Sequence, residues 1–176
     1  MRGQQARMRV IVSDTSCIID LGKSSLVRAV LQLPYIFVMP DVLFHDELLS
    51  FGPVGKEELR ALGLQVVELD PQGTSRAFEH FAQHQALAVH DCFALALAEQ
   101  TEDCILLTGD SALRRIASGI GIEVHGVLWM IDELERTSLA TARQLYDALC
   151  LLEQDSLVFL PKDEFRQRIR RFQHFI

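Results

Sequence analysis

Five short runs rich in strand formers, at residues 10–13, 35–39, 64–69, 104–108 and 122–125, are separated by segments whose apolar residues recur at helical spacing. Strands that alternate with helices pair in parallel, because each helix carries the chain back across the sheet so that the next strand runs in the same direction. The pattern predicts an α/β domain with a mostly parallel central sheet of about five strands. The 64–69 run mixes Leu64, Val66 and Leu69 with Gln65 and Glu68, which suits an edge or a short irregular strand.

Helical spacing falls at residues 24–32, 41–49, 56–62, 75–85, 91–100, 112–118, 127–136, 139–152 and 162–172. Pro40-Asp41 and Pro71 precede helices as breakers, and Thr74, Ser111 and Ser138 are candidate N-caps. Gly119 and Gly121 bracket a helix end and the turn into the last strand, where positive φ is often needed. The last helix offers Phe165, Ile169 and Phe172 to a core and presents Lys162, Arg166, Arg168, Arg170 and Arg171 as a basic face. Residues 1–7 read as a flexible leader and residues 8–176 as a single domain with helices at its C-terminal end, since no repeat or long linker divides the chain.

A chain of 176 residues, nearly half of them apolar, can bury a substantial core without covalent staples. Its longest apolar runs are too short to span a bilayer, and the four cysteines, Cys17, Cys92, Cys104 and Cys150, lack paired spacing and lie in apolar surroundings. A cytoplasmic protein with reduced, buried thiols is the expectation, with no zinc site, disulfide framework or membrane partner. The net charge of −7 opposes nonspecific coating of nucleic acid, although a local basic surface can still steer it.

Four acids follow or interrupt different apolar stretches: Asp14 after the first strand, Glu47 between Leu43, Phe44, Leu48 and Leu49, Asp91 at the start of an almost wholly apolar helix, and Asp110 after Leu106-Leu-Thr-Gly. In open α/β sheets ligands bind outside the carboxyl ends of the strands, so Asp14 and Asp110 sit at the favoured edge. Asp91 gains from the helix dipole, and Glu47 needs a partner if it points inward. Taken singly, Asp14, Asp91 and Asp110 suit caps or Asx-turns and Glu47 a solvated position. Together they suggest a metal cleft, because like charges gathered by a fold are commonly offset by a divalent cation. An all-oxygen donor set selects Mg²⁺ or Mn²⁺ over zinc, and such an ion suits hydrolysis of a phosphodiester.

Other acids, Asp41, Asp46, Asp70, Asp103 and the Asp132-Glu133 pair, read as caps or surface charges, with Asp46 in reserve if the register around Glu47 shifts by one. His45, His90 and His125 fit no metal-ligand spacing and read as hydrogen-bonded or solvated. The chain has no P-loop, no dinucleotide-binding glycine motif after the first strand, no second aspartate of an aspartyl-phosphate phosphatase and no serine-hydrolase elbow.

The order Asp14-Thr-Ser, Glu47-Leu-Leu, Asp91-Cys-Phe-Ala-Leu-Ala-Leu-Ala and Leu106-Leu-Thr-Gly-Asp110, followed by Arg114-Arg-Ile-Ala and Gly121-Ile-Glu-Val-His-Gly, resembles the PIN-domain family. The resemblance spans roughly residues 8–136, and Phe159-Leu-Pro-Lys-Asp-Glu-Phe is similar to the C-terminal helix of bacterial and archaeal members. It implies a Rossmann-like three-layer α/β/α domain whose acidic pocket binds Mg²⁺ or Mn²⁺ and cuts RNA. At matching positions Asp14, Glu47, Asp91 and Asp110 would be the catalytic, metal-binding acids, with Thr15, Ser16 and Thr108 supporting their loops. Many small prokaryotic members are toxins of VapBC-type toxin–antitoxin pairs, so the resemblance also implies an antitoxin protein and a homodimer as partners. Cys92 in place of the usual small residue, Gly109 between Thr108 and Asp110, and the greater length depart from a compact toxin. The rival reading is a noncatalytic PIN-like binding or assembly module, which the net negative charge favours.

Overall fold

The computed structural model describes residues 8–48, 54–158 and 160–176. The expected leader, Leu49 and Phe159 lie outside the described residues. Five strands, β1 (Val10–Ser13), β2 (Ile36–Pro40), β3 (Gln65–Val67), β4 (Cys104–Leu107) and β5 (Glu123–His125), form one wholly parallel sheet in the order β3-β2-β1-β4-β5. The chain lays β2 and β3 on one side of β1, then crosses back to lay β4 and β5 on the other. The switch falls between β1 and β4, where Ser13 pairs with Leu107. A crevice opens there because the connections leaving the two strands turn to opposite sides.

Ten helices flank the sheet among the described residues: α1 (Thr15–Lys23), α2 (Val27–Val30), α3 (Asp41–Asp46), α4 (Lys56–Ala61), α5 (Pro71–Gln83), α6 (Val89–Gln100), α7 (Ser111–Gly119), α8 (Val127–Arg136), α9 (Ala142–Gln154) and α10 (Lys162–Gln173). The arrangement is three-layered, α/β/α. Covered on both faces, β1 and β4 are apolar apart from Ser13 at the end of β1: Ile11, Val12, Ile105, Leu106 and Leu107 are fully buried. The edge strands carry exposed Gln65 and Glu123, and β3 is the short edge strand its mixed pattern suggested. Helix α6 packs on β1, β2 and β4, which accounts for its nearly continuous apolar sequence.

The helix α1 was not expected from sequence. Its Thr15-Ser and Ile18-Ile pairs and Gly22 are weak helix formers. Two things offset that weakness. Asp14 caps the helix, its carboxylate accepting the Ser16 amide at 3.3 Å, and Cys17, Ile18 and Leu21 bury completely against neighbouring helices. The segment 24–32, expected to be helical, contracts to α2 because Ser25 adopts φ 62°.

Three expected N-caps give way to another residue nearby. Asp70 rather than Thr74 caps α5, accepting the Gly73 amide at 2.7 Å, and Asp110 rather than Ser111 caps α7, accepting the Leu113 amide at 2.7 Å. Ser138 adopts φ 57° and stands outside a helix, so α9 starts later, with Thr141 and Gln144 satisfying each other's backbone. Gly121 has φ 87°, the left-handed turn expected before β5.

The C-terminal basic face is less solvated than its sequence suggests. Arg168 and Arg171 both clamp Asp132 on α8, and Arg171 also reaches Glu135 at 2.8 Å. Beneath them Phe165 and Phe172 are buried, so α10 is fixed by apolar packing and by ion pairs together. No helix among the described residues is long and apolar enough to cross a membrane.

Candidate active site

The switch in strand order places the acids. Asp14 leaves β1 and Asp110 follows β4 by way of Thr108 and Gly109, so both reach the carboxyl edge of the two central strands. The Asp14 amide donates to the Leu107 carbonyl at 2.9 Å, which extends the ladder by one residue and aims the carboxylate into the crevice. Asp91 enters from the first turn of α6, and Glu47 from the C-terminal end of α3. Helix α3 stops at Asp46, and Glu47 is its C-cap rather than an interior residue. All four line one cleft of about 430 Å³, together with Thr15, Ser16, Ile19, Asp20, Gly109 and Leu157.

Hydroxyls hold the carboxylates in place. Thr108 donates to Asp14 at 2.6 Å and accepts the Asp110 amide at 3.1 Å, so one side chain couples the two strand-end acids. Ser16 donates a second hydroxyl bond to Asp14 at 2.9 Å, and Thr15 donates to Glu47 at 2.6 Å. The Ala88 amide donates to Asp91 at 2.8 Å. Thr15, Ser16 and Thr108 are thus each bonded to an acid of the cleft.

The charge gathered here is visible in Asp91. Burial, and then the fields of Asp14, Asp110 and Glu47, push its carboxyl up to about 6 against the bond from Ala88. Asp14 is only 7 % exposed, whereas Asp110 is open to solvent.

A family model described as a PIN domain matches residues 10–174. The chain belongs to the PIN-domain family. Comparison with curated proteins gives no match. PIN domains are in general nuclease-like and commonly use divalent metals.

The donor set of this PIN domain can be tested against such an ion. Among the described residues no three His, Cys, Asp or Glu side chains gather closely enough to enclose a cation by themselves. An all-carboxylate cleft nevertheless fits Mg²⁺ or Mn²⁺, because Mg²⁺ is ordinarily held by one or two carboxylates while water and substrate phosphate complete its shell. Burial does most to raise Asp91, and the neighbouring acids add a smaller share that a cation would offset.

Two contacts were not legible in sequence. Asp20 lines the cleft one helical turn beyond Ser16, and burial pushes its carboxyl up to about 6. Reading Asp14 as the cap of a helix, rather than of an isolated turn, would have put Ser16 and Asp20 on one face. His90 bridges two acids, with Nδ1 3.2 Å from Glu47 and Nε2 3.2 Å from Asp46. Asp46, the reserve candidate, is exposed, and it does not line the cleft. His125 bonds Glu123 at 2.8 Å and stacks on Trp129, while His45 is exposed.

The raised Asp91 predicts a pH signature in the metal-free protein. A carboxyl whose folded pKa lies above its ordinary 3.8 contributes stability that is fully present below that value and is lost as pH rises through about 6. In chelator, Asp91→Asn is therefore expected to melt above wild type near neutral pH, with the difference vanishing in acid. Thermal melts across that range check it, and a variant that melts lower near neutrality would refute it.

Proposed function

We propose that this PIN domain is a metal-dependent endoribonuclease that hydrolyses RNA phosphodiester bonds in the acidic cleft. The observation that carries the reading is the convergence of Asp14, Glu47, Asp91 and Asp110 on one crevice at the strand-order switch. These four would hold Mg²⁺ or Mn²⁺, with Thr15, Ser16 and Thr108 fixing their carboxylates. A bound ion of this kind supplies Lewis-acid stabilisation of phosphate charge and an acidified water. The chain's own part is orientation. Thr108 ties Asp14 to the start of α7, and α6 projects Asp91 from a buried base.

RNA rather than DNA is favoured by the motif resemblance, which also supports a cytoplasmic toxin neutralised by an antitoxin protein, and a homodimer. Co-purification with the product of a neighbouring gene, and the mass of the purified protein in solution, test those partners. The deciding experiment for the activity is cleavage of a mixed single-stranded RNA pool with Mn²⁺ or Mg²⁺, with chelator and Asp91→Asn in parallel. Cleavage that requires both the metal and Asp91 is expected. Wild-type activity no greater than that of Asp91→Asn, after a denaturing wash to strip any antitoxin, would overturn the reading.

One observation favours the noncatalytic module: each acid already holds a protein donor, and Asp14 and Asp110 cap helices. Metal binding separates the two readings. A cation that binds the native state at about a hundredfold above its Kd stabilises by about 2.7 kcal/mol. For a chain of this size that raises the melting temperature by about 5–10 °C. An equal rise with Asp14→Asn, or a rise reproduced by monovalent salt of the same ionic strength, would favour the module.

A further inference from the structure

Beside the acidic cleft lies a second cavity of about 470 Å³, and Asp20 and Gly109 line both. It lies between β5, the start of α8 and the start of α10. Its apolar wall includes Val127, Leu128 and Leu160, and its aromatic wall is Trp129 with His125, stacked 4.2 Å apart at an interplanar angle of 11°. A cavity of this volume is in the range of small-molecule sites, roughly 300–1,000 Å³, and has room for a nucleobase with its sugar.

Two arginines line it, and they differ in charge balance. Arg168 is clamped to Asp132, so its charge is offset. Arg114, half-buried on α7, donates to the Thr108 carbonyl at 3.0 Å and forms no ion pair among the described residues. Thr108 is the residue whose hydroxyl bonds Asp14, so Arg114 in the second cavity is linked through Thr108 to an acid of the first. Two carboxylates, Asp20 and Glu164, line the same cavity, but with no carboxylate at ion-pair distance among the described residues the planar donors of Arg114 suit a phosphate oxygen.

Resting on the nuclease reading, we propose that this second cavity takes one unstacked base of the single-stranded RNA whose phosphodiester occupies the acidic cleft. The Trp129–His125 stack is its platform, and Arg114 holds the phosphate that joins the two nucleotides. Bases of single strands can be splayed onto aromatic side chains in this way, whereas a duplex keeps its bases stacked inside. The cavity then selects unpaired RNA and gives the enzyme its base preference beside the cut.

Trp129 is the single tryptophan of the chain, so its fluorescence reports on this wall alone. The test uses wild type in chelator and Asp14→Asn with Mn²⁺, conditions under which the strand stays intact. A labelled mixed single-stranded RNA, an abasic strand of equal length and an RNA duplex are titrated, with anisotropy read for binding and Trp129 emission for occupancy of the cavity. The single strand should change Trp129 emission in step with binding, and the abasic strand should bind about tenfold more weakly with no such change. The duplex should leave the emission unchanged. Arg114→Gln and Trp129→Leu should each cost about tenfold in affinity for the single strand but not for the abasic one in the case of Trp129. If Trp129→Leu fails to fold, the wild-type titrations and Arg114→Gln decide the matter.

Equal affinity for the abasic strand, or binding that leaves Trp129 emission unchanged, overturns the base site. Metal-dependent cleavage in the separate RNA assay would leave the nuclease reading standing in that case. No binding of any strand under either condition also overturns the base site, and if cleavage is absent too, both fall.

Discussion

Asp14→Asn is expected to reduce metal-dependent RNA cleavage by at least about 100-fold while the protein stays folded. Stabilisation of transition-state charge by a metal is worth several kcal/mol, and about 2.7 kcal/mol corresponds to a factor of 100. Asp14 is the acid with most to lose. It is the one buried acid of the four, and it sits where β1 and β4 meet. The amide keeps the shape of the carboxylate, and the Thr108 and Ser16 hydroxyls can rotate to accept as well as donate. Removing one of four gathered charges also eases the repulsion that raises Asp91. Single-turnover cleavage beside circular dichroism and thermal melting checks both halves. Retained cleavage, or loss of cleavage only through unfolding, would remove Asp14 from the chemistry.

The largest effect on stability is expected at the other end of the chain. Phe172 is completely buried where α10 packs on α9, and the Arg171 guanidinium carbon lies 4.8 Å from its ring centre. Truncating such a side chain loses its transfer free energy and leaves a cavity, so Phe172→Ala should cost about 3–5 kcal/mol. At this chain length the melting temperature should fall by about 10 °C. The Arg168 and Arg171 clamps on Asp132 are partly exposed and cannot offset that loss, because ion pairs open to water contribute about 1 kcal/mol or less. A fall of under about 2 °C, measured by calorimetry, would mean that α10 is peripheral to the folding unit.

The central strands were legible because a parallel strand buried on both faces must be apolar, and Ile11-Val and Ile105-Leu-Leu satisfy that rule in sequence. The approach of Asp14 and Asp110 was legible for a related reason: an acid directly after such a strand, as Asp14 is, or in the turn that follows it, as Asp110 is, stands at the sheet's binding edge. Helix α1 was not legible, since Thr15, Ser16 and Ile18-Ile hide it from propensity and only the Asp14 cap and tertiary burial sustain it. Asp20 was hidden with it. The link from His90 to Glu47 depends on how α3 docks against α6, and the cavity around Trp129 depends on α10 returning from the end of the described chain to meet α7 and β5. Contacts of that kind leave no periodic mark.

The sheet order also sets the time at which the cleft comes into being. On a ribosome, β1 emerges long before its neighbour β4 at residues 104–107, and until then one side of β1 has no ladder partner. Pairings so far apart in sequence are slow to form, and an open apolar edge invites association with other nascent chains. The bond from Thr108 to Asp14 forms at the same late stage. Fragments that end before β4 therefore carry no assembled acidic cleft.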